Sequence, residues 1–361
     1  MNSVSVNLDS RSYEILVASH LLDRAGDFIQ ALKLSGRVAI ISDTNVAPRY
    51  LERLKNSLTQ AGYESSSHLI PAGEASKSMN HAEQLARSMM QAHHDRSSFV
   101  IALGGGVVGD LAGFVSSIFY RGIPFVQIPT TIVSQVDSAV GGKTGVNTPE
   151  GKNLIGSFQQ PRLVLIDPDT LLSLPGREYR EGFAEVIKHA AIRDAAMLDE
   201  LEALDPGDQH TPADLIARNV AIKARIVEED EKETSGTRAL LNFGHTIGHG
   251  IEAAVPYGTL LHGEAISLGI RAALILSQKF AGLPAADSQR LINLLKRFQL
   301  PVTLSPQLKT NTILEKIARD KKFAGGKLRF VLLSKLGEAT LSEGLPLDSI
   351  PEAIEELRSP A

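Results

Sequence analysis

The chain is expected to be an α/β protein: an N-terminal Rossmann-like domain with a doubly wound parallel sheet, then a mostly α-helical C-terminal domain. Three features lead there. Short apolar runs alternate with amphipathic segments in the first half, a glycine-rich turn joins one such run to a helix, and the texture turns almost wholly helical after Leu174-Pro175-Gly176. The apolar runs are Val38–Ser42, Phe99–Leu103, Phe125–Ile128 and Leu163–Ile166. Continuous runs of this kind suit strands buried on both faces. Helical patterns over Ala47–Gln60 and Asn80–Ala92 separate them, and strands spaced by helices make a parallel sheet. From Glu178 to Gln299 helical period dominates, in Tyr179–Ile192, Pro212–Glu229, His262–Phe280 and Ala285–Phe298. Only Leu328–Leu333 near the end has strand character. One boundary near residue 176 therefore divides an α/β domain, 1–176, from a helical domain, 177–361.

Composition narrows the chemistry. Of 361 residues 43% are hydrophobic and 22% charged, an ordinary balance for a core-forming protein. The net charge of −4 and the lack of a long basic block argue against nucleic acid as the main partner, while allowing a local basic pocket for a small anion. With no cysteine there can be no disulfide, thiolate zinc site or cysteine nucleophile, so any metal must sit on His, Asp or Glu. The first residues lack the basic and apolar regions of a signal peptide, and no run approaches the 18 or so apolar residues of a membrane span. A soluble, cytoplasmic protein is expected.

Leu103 is followed by Gly104-Gly105-Gly106-Val107-Val108-Gly109-Asp110 and then a helical run. This matches G-x-G-x-x-G with a strand before and a helix after, where backbone N–H groups can face a pyrophosphate. A tight turn needing glycine is the alternative, over which phosphate binding is favoured. The acid expected about 20 residues on for a ribose is missing, since that region is Gln127-Ile128-Pro129-Thr130-Thr131. A bound dinucleotide would need a carboxylate elsewhere, with Asp43 and Glu74 available. Gly141-Gly142-Lys143-Thr144 is not a P-loop, because Asp137 stands where the first glycine belongs. It and Gly151-Lys152-Asn153 still offer cations beside glycines, suited to an anion or simply to a solvated loop.

Metal-ligand candidates lie further on. His245 and His249 stand at i, i+4 on one helical face, without the Glu of H-E-x-x-H. Alone they could equally be core histidines. His262-Gly263-Glu264 opens another helix, and Glu185 and Lys188 lie at i, i+3 in an apolar one, where charge is costly unless paired or ligating. One carboxylate and two imidazoles with open positions make a reasonable zinc or cobalt centre.

The strings GGGVVGDLAGF, RGIPFVQIPTTIVSQVDSAVGGKTGVN, GKNLIG, EGFAEVIKH, NFGHTIGH and HGEAISLG, in this order, closely resemble the 3-dehydroquinate synthase family, from about Asp43 through Lys322. The resemblance implies NAD and one divalent metal, Zn2+ or Co2+, as cofactors, with Glu185, His245 and His262 as ligands. It places Asp137, Lys143, Lys152, Asn153, Lys188, Lys223, Arg238, Asn242 and His249 in the substrate pocket. Arg121 matches an arginine that reaches the neighbouring subunit's phosphate site, implying a homodimer. Asp43, Glu74, Lys77, Gly105, Gly106, Val107, Asp110, Thr130, Thr131, Lys143, Lys152 and Ser173 fall on NAD-contact positions, and either Lys321 or Lys322 would meet the phosphate. Ala139, Gln159 and Ser173 depart from the residues usual in the family, and Lys223 and Arg238 stand one residue further apart than usual.

The implied substrate is 3-deoxy-D-arabino-heptulosonate 7-phosphate, a sugar acid phosphate. Oxidation at C5 makes the C6 proton acidic, phosphate leaves, C5 is reduced again, and an aldol step closes the carbocycle. Sister sugar-phosphate cyclases of inosose or valiolone type, metal-dependent polyol dehydrogenases and a non-catalytic NAD-binding regulator are the competing readings. Arg238 with Asn242 favours the carboxylate-bearing substrate, and the cations around one phosphate favour a cyclase.

Overall fold

The computed structural model describes residues 1–256, 258–319 and 329–361. The chain divides into two compact units, Met1–Leu174 with His210–Glu228, and Pro175–Gln209 with Glu229–Ala361.

The first unit is built on a seven-stranded sheet. Its strands are β1 (Asn2–Val6), β2 (Tyr13–Val17), β3 (Val38–Asp43), β4 (Ser65–Ile70), β5 (Phe99–Gly104), β6 (Phe125–Pro129) and β9 (Leu163–Ile166), in the order β1-β2-β9-β6-β5-β3-β4. Only β1 and β2 pair antiparallel; the other pairs are parallel. The apolar runs seen in sequence are the central strands, fully buried as a sheet covered on both faces demands. Helices α1 (Ala25–Ala31) and α2 (Ala47–Gln60) pack with one core cluster that includes Ile40, Ile101 and Val126. Helices α3 (Met79–Gln91) and α4 (Gly106–Ile118) pack with another that includes Ile41, Val100 and Phe125. Strand order reverses between β3 and β5, and open sheets bind ligands at the carboxyl ends of such neighbours. A separate hairpin, β7 (Lys143–Thr148) with β8 (Gly151–Phe158), stands outside this sheet.

The single cut expected near 176 needs correction, because the helix Ala213–Glu229 belongs to the first unit. Asn7 donates to Glu228 at 2.6 and 2.7 Å, Asn2 to Asp214 at 2.7 Å, and the Lys223 ammonium to Asp137. These contacts span from 86 to 221 positions of chain, which periodicity does not register.

The second unit is helical, with α5 (Gly176–Glu181), α6 (Phe183–Arg193), α7 (Met197–Ala203), α9 (His245–Ala253), α10 (His262–Phe280), α11 (Ala285–Arg297), α12 (Thr310–Arg319) and α13 (Ser349–Glu356), α8 being the helix given to the first unit. It also holds a hairpin, β10 (Arg329–Lys335) with β11 (Glu338–Glu343), so the expected late strand has a partner that was not foreseen. Helices α9 and α10 approach closely through glycine: a Cβ on Gly269 would stand 2.0 Å from the Gly244 carbonyl oxygen. Among the described residues no helix is long and apolar enough to cross a membrane. Lys321, Lys322, Leu328 and Tyr257 lie outside the described residues.

Candidate active site

Three helix beginnings in the second unit carry the metal candidates. Glu185 is in the first turn of α6, while His245 and His262 open α9 and α10. Gly244, at φ 77°, ends the preceding turn in the left-handed region and lets α9 start on His245. Gly263 is required because a Cβ there would sit 1.9 Å from the Glu181 carbonyl oxygen. The start of α10 is then locked from several sides. Glu264 accepts from the Leu261 N–H at 2.8 Å, Arg177 grips Glu264 through two bonds of 2.7 Å, and Glu181 accepts from the Gly263 N–H.

Glu185 Oε1 lies 3.3 Å from His245 Nε2 and 3.4 Å from His262 Nε2. Ligands held at about 2.0–2.1 Å around a tetrahedral zinc stand roughly 3.3–3.4 Å from one another. Both separations from the carboxylate oxygen therefore match ligand-to-ligand spacing, and the three donor atoms lie within 4.8 Å of one another. Among the described residues Oε1 is buried without a hydrogen bond, whereas Oε2 accepts from the Lys188 ammonium. His245 Nδ1 is 3.1 Å from the Phe243 carbonyl, which only accepts, so Nδ1 carries the proton and the Nε2 lone pair faces the centre. An orphaned buried oxygen beside two imidazole nitrogens fits a divalent ion of borderline softness.

The electrostatics agree. Burial works against the Glu185 charge, yet Lys188 and His245 hold the carboxyl well below its usual range. Burial pushes His245 down to about 3, with Lys188 adding to the effect against Glu185, so the ring is neutral. His262 is only partly buried, and Glu185 and Glu252 outweigh the desolvation it feels and raise it to about 10. It thus holds a proton that an arriving ion would displace.

Arg238 and Asn242 lie in the turn leading into α9. Arg238 is almost fully buried, and its guanidinium donates to the Glu231 carbonyl. Its loop is held by Asp230, whose carboxylate accepts from the N–H groups of Thr234 (2.7 Å), Ser235 (3.1 Å), Gly236 (3.0 Å) and Arg238 (3.1 Å). The His249 ring is 5.1 Å from that of His245 and 5.9 Å from that of His262. Lys188 belongs with this group as the buried partner of Glu185.

In the first unit the cofactor candidates collect at the carboxyl ends of β3, β4, β5 and β6. Asp43 ends β3 and turns the chain by accepting from the N–H groups of Asn45 and Val46 at 2.8 and 2.9 Å. Gly105 and Gly106 lead from β5 into α4, with Val107 behind them, and Thr130 and Thr131 follow β6. The buried Thr130 hydroxyl has no hydrogen-bond partner among the described residues. Gly109 serves packing, since a Cβ there would stand 2.7 Å from Gln127 Oε1. Lys77, almost fully buried, donates to Asp110 and to Asn153, each at 2.5 Å. Burial pushes Asp110 up against the pull of Lys77. Glu74 accepts from the Asn147 amide at 2.8 Å, and Asn147 in turn accepts from the Asn153 N–H. Ser173 bonds Tyr50 at 2.6 Å. Asp137, in a π-helical turn, accepts from Lys223 at 2.7 Å. Lys143 and Lys152 sit near opposite ends of the β7–β8 hairpin, roughly 13 Å of strand apart. Only their long side chains could converge on one anion.

Sequence reasoning missed Asn147, Asp230, Glu181, Glu252 and Arg177. Glu264 with Leu261 is a helix-start pattern that could have been found; the others bond across turns or between elements and leave no periodic trace.

Fold and site together define a class in which an α/β unit of dinucleotide-binding topology accompanies a helical unit carrying a carboxylate–imidazole metal set. A 2-epi-5-epi-valiolone synthase from Streptomyces hygroscopicus subsp. jinggangensis, solved with NAD+ and Zn2+ bound, is similar at a TM-score of 0.88 and 30% identity, over 97% of this chain and 98% of that one. A 2-deoxy-scyllo-inosose synthase complexed with carbaglucose-6-phosphate, NAD+ and Co2+ shares the fold at a TM-score of 0.88 and 24% identity, over 98% of this chain and 100% of that one. Residues 67–181 match the family model 3-dehydroquinate synthase N-terminal, and residues 182–323 match 3-dehydroquinate synthase C-terminal. The 3-dehydroquinate synthase of Azotobacter vinelandii is 46% identical over 98% of this chain and 97% of its own length. The chain belongs to the 3-dehydroquinate synthase family.

The buried pair yields a prediction. In Lys188→Met the Glu185 carboxylate loses its ammonium partner, so the metal-free protein should lose about 3–5 kcal/mol of stability. Saturating Zn2+ should restore much of it, because the ion takes over neutralisation. Urea unfolding of parent and variant, with and without Zn2+, checks this; an equal loss in both conditions would show that Glu185 does not face an ion.

Proposed function

We propose that the protein is a 3-dehydroquinate synthase, converting 3-deoxy-D-arabino-heptulosonate 7-phosphate to 3-dehydroquinate and phosphate, with NAD and one Zn2+ or Co2+ as cofactors. The observation that carries this reading is the ligand spacing of Glu185, His245 and His262 in a member of this family. NAD, when bound, supplies a hydride acceptor for the C5 alcohol and returns the hydride later, and the ion supplies Lewis acidity at the C5 oxygen.

The chain's own groups do the rest. Asp43, Glu74 and Lys77 would hold the adenosine half of NAD, Asp110 would contact the cofactor beside Lys77, and Gly105, Gly106 and Val107 would hold its pyrophosphate at the start of α4, a helix end that favours anions. Thr130, Thr131 and Ser173 would complete that site. The Arg238 fork suits two-point binding of the substrate carboxylate beside Asn242. Lys143, Lys152, Asn153 and Arg121 would hold the phosphate, while Asp137 and Lys223 act as a pair on the substrate's polar edge. His249 would move a proton near the leaving group. The departing phosphate can itself take the C6 proton, which removes the need for a dedicated base. A polyol dehydrogenase would have little use for so many cations around one phosphate, and an inosose- or valiolone-type substrate has no carboxylate for Arg238.

The test uses the heptulosonate phosphate with a trace of NAD. Phosphate should appear one-for-one with 3-dehydroquinate while absorbance at the nicotinamide band stays flat. A chelator should stop turnover, and Zn2+ or Co2+ should restart it. One NADH formed per substrate consumed, with no phosphate, would replace this reading by the dehydrogenase one.

We also propose a soluble, cytoplasmic homodimer in which Arg121 serves the partner's phosphate site. Tyr120, Arg121 and Gly122 all have positive φ, at 47°, 71° and 120°, a strained turn of the sort kept where a side chain must be aimed. Around it Ile118, Tyr120, Leu154, Ile155 and Phe158 expose apolar surface, and Ser157 bonds Ser117 across the two segments. Mixing inactive Arg121→Ala chains with inactive His245→Ala chains should restore part of the activity through hybrid dimers. No recovery despite demonstrated subunit exchange would return Arg121 to its own chain.

A further inference from the structure

His262 is the most exposed of the three ligand candidates, at 33% of its side chain against 9% for His245 and none for Glu185. An exposed imidazole needs something to fix its ring and its tautomer if its Nε2 is to stay aimed at the centre. The other two candidates are held from behind: Lys188 bonds the outer oxygen of Glu185, and the Phe243 carbonyl takes the Nδ1 proton of His245. Behind His262 stands Glu252, with Oε2 at 3.4 Å from Nδ1. Helix α9 presents His245, His249 and Glu252 at i, i+4 and i+7, one helical stripe. The Glu252 side chain is only 14% exposed, so its charge is sheltered enough to act on the ring.

We propose that Glu252 is a positioning residue for the metal centre, one that nothing in the family motifs singled out. Its carboxylate accepts the Nδ1–H of His262, selects the tautomer with a bare Nε2, holds the ring plane, and strengthens Nε2 as a donor. This rests on the proposed metal site. A rival arrangement has donor atoms of His249, Glu252 and His262, all within 4.8 Å of one another, hold a second ion. That would require His262 to give up both ring protons and bridge two cations, while Nδ1–H to carboxylate needs no such loss.

The test compares the parent with Glu252→Ala and Glu252→Gln. The readouts are Zn2+ affinity by competition with a chromophoric chelator, bound metal per chain, and the visible spectrum of the Co2+-loaded protein. Glu252→Ala should bind Zn2+ on the order of 10–100-fold more weakly and change the Co2+ spectrum. Glu252→Gln keeps an acceptor oxygen and should lose less. Melting of the metal-free proteins reports whether each variant folds. Should the alanine variant not fold, the glutamine variant decides alone, through weaker Zn2+ binding with a shifted Co2+ spectrum. Affinity within threefold of the parent with an unchanged spectrum, equal losses in both variants, or two ions per parent chain falling to one in Glu252→Ala would each overturn the positioning role. A parent that binds no ion would instead sink the metal site on which the proposal rests.

Discussion

A carboxylate with no exposure, set in the first turn of an apolar helix, is the constraint around which the second unit is arranged. Isolated, the Glu185 charge would cost several kcal/mol, and the chain would shed it by taking up a proton. It stays ionised because Lys188 bonds one oxygen and two imidazoles face the other. That asymmetry is informative. Lys188 alone answers Oε2, whereas Oε1 has no hydrogen bond of good geometry among the described residues and lies 3.3 and 3.4 Å from two converging ring nitrogens. The glycines at 244, 263 and 269 follow from the same constraint, since they let three helix starts approach closely enough to bring these atoms together.

The first unit depends on a different physical feature, the reversal of strand order between β3 and β5. At their carboxyl ends the backbone turns, α4 begins without a side-chain cap, and cofactor candidates from four strands collect along one edge. Asp43 and Glu74, the acids proposed in place of the one absent after the glycine motif, are each tied into the edge by hydrogen bonds. A network of Glu74, Asn147, Asn153, Lys77 and Asp110 then links the β7–β8 hairpin to that edge. Cofactor edge and hairpin cations are thereby mechanically joined, which suits chemistry in which redox and phosphate loss occur on one bound molecule.

What was legible in the sequence follows from burial. Central strands such as Phe99–Gly104 are apolar throughout because both faces are covered, and His262–Phe280 shows helical period at full length. The strands Asn2–Val6, Ser65–Ile70 and Lys143–Thr148 are polar or half-exposed and carried no such signal. Histidines and an acid in apolar surroundings are costly and therefore conspicuous, but the choice of Glu185, His245 and His262 as the ligand set comes from the family resemblance. Glu252 could not be singled out, since an acid on a polar helix stripe is ordinary until its distance to His262 is known. Asp230 was hidden for a related reason: its four partners are backbone N–H groups, which no side-chain pattern records.

The central claim is that redox at C5 is closed within one bound substrate, the hydride leaving and returning to the same carbon. Supplying heptulosonate phosphate deuterated at C5, with a trace of NAD and an excess of unlabelled NADH in solution, tests it most directly. The 3-dehydroquinate formed should keep its deuterium at the carbon derived from C5, turnover after turnover, with none passing to the NADH pool. Protium at that carbon, or label accumulating in NADH, would contradict it.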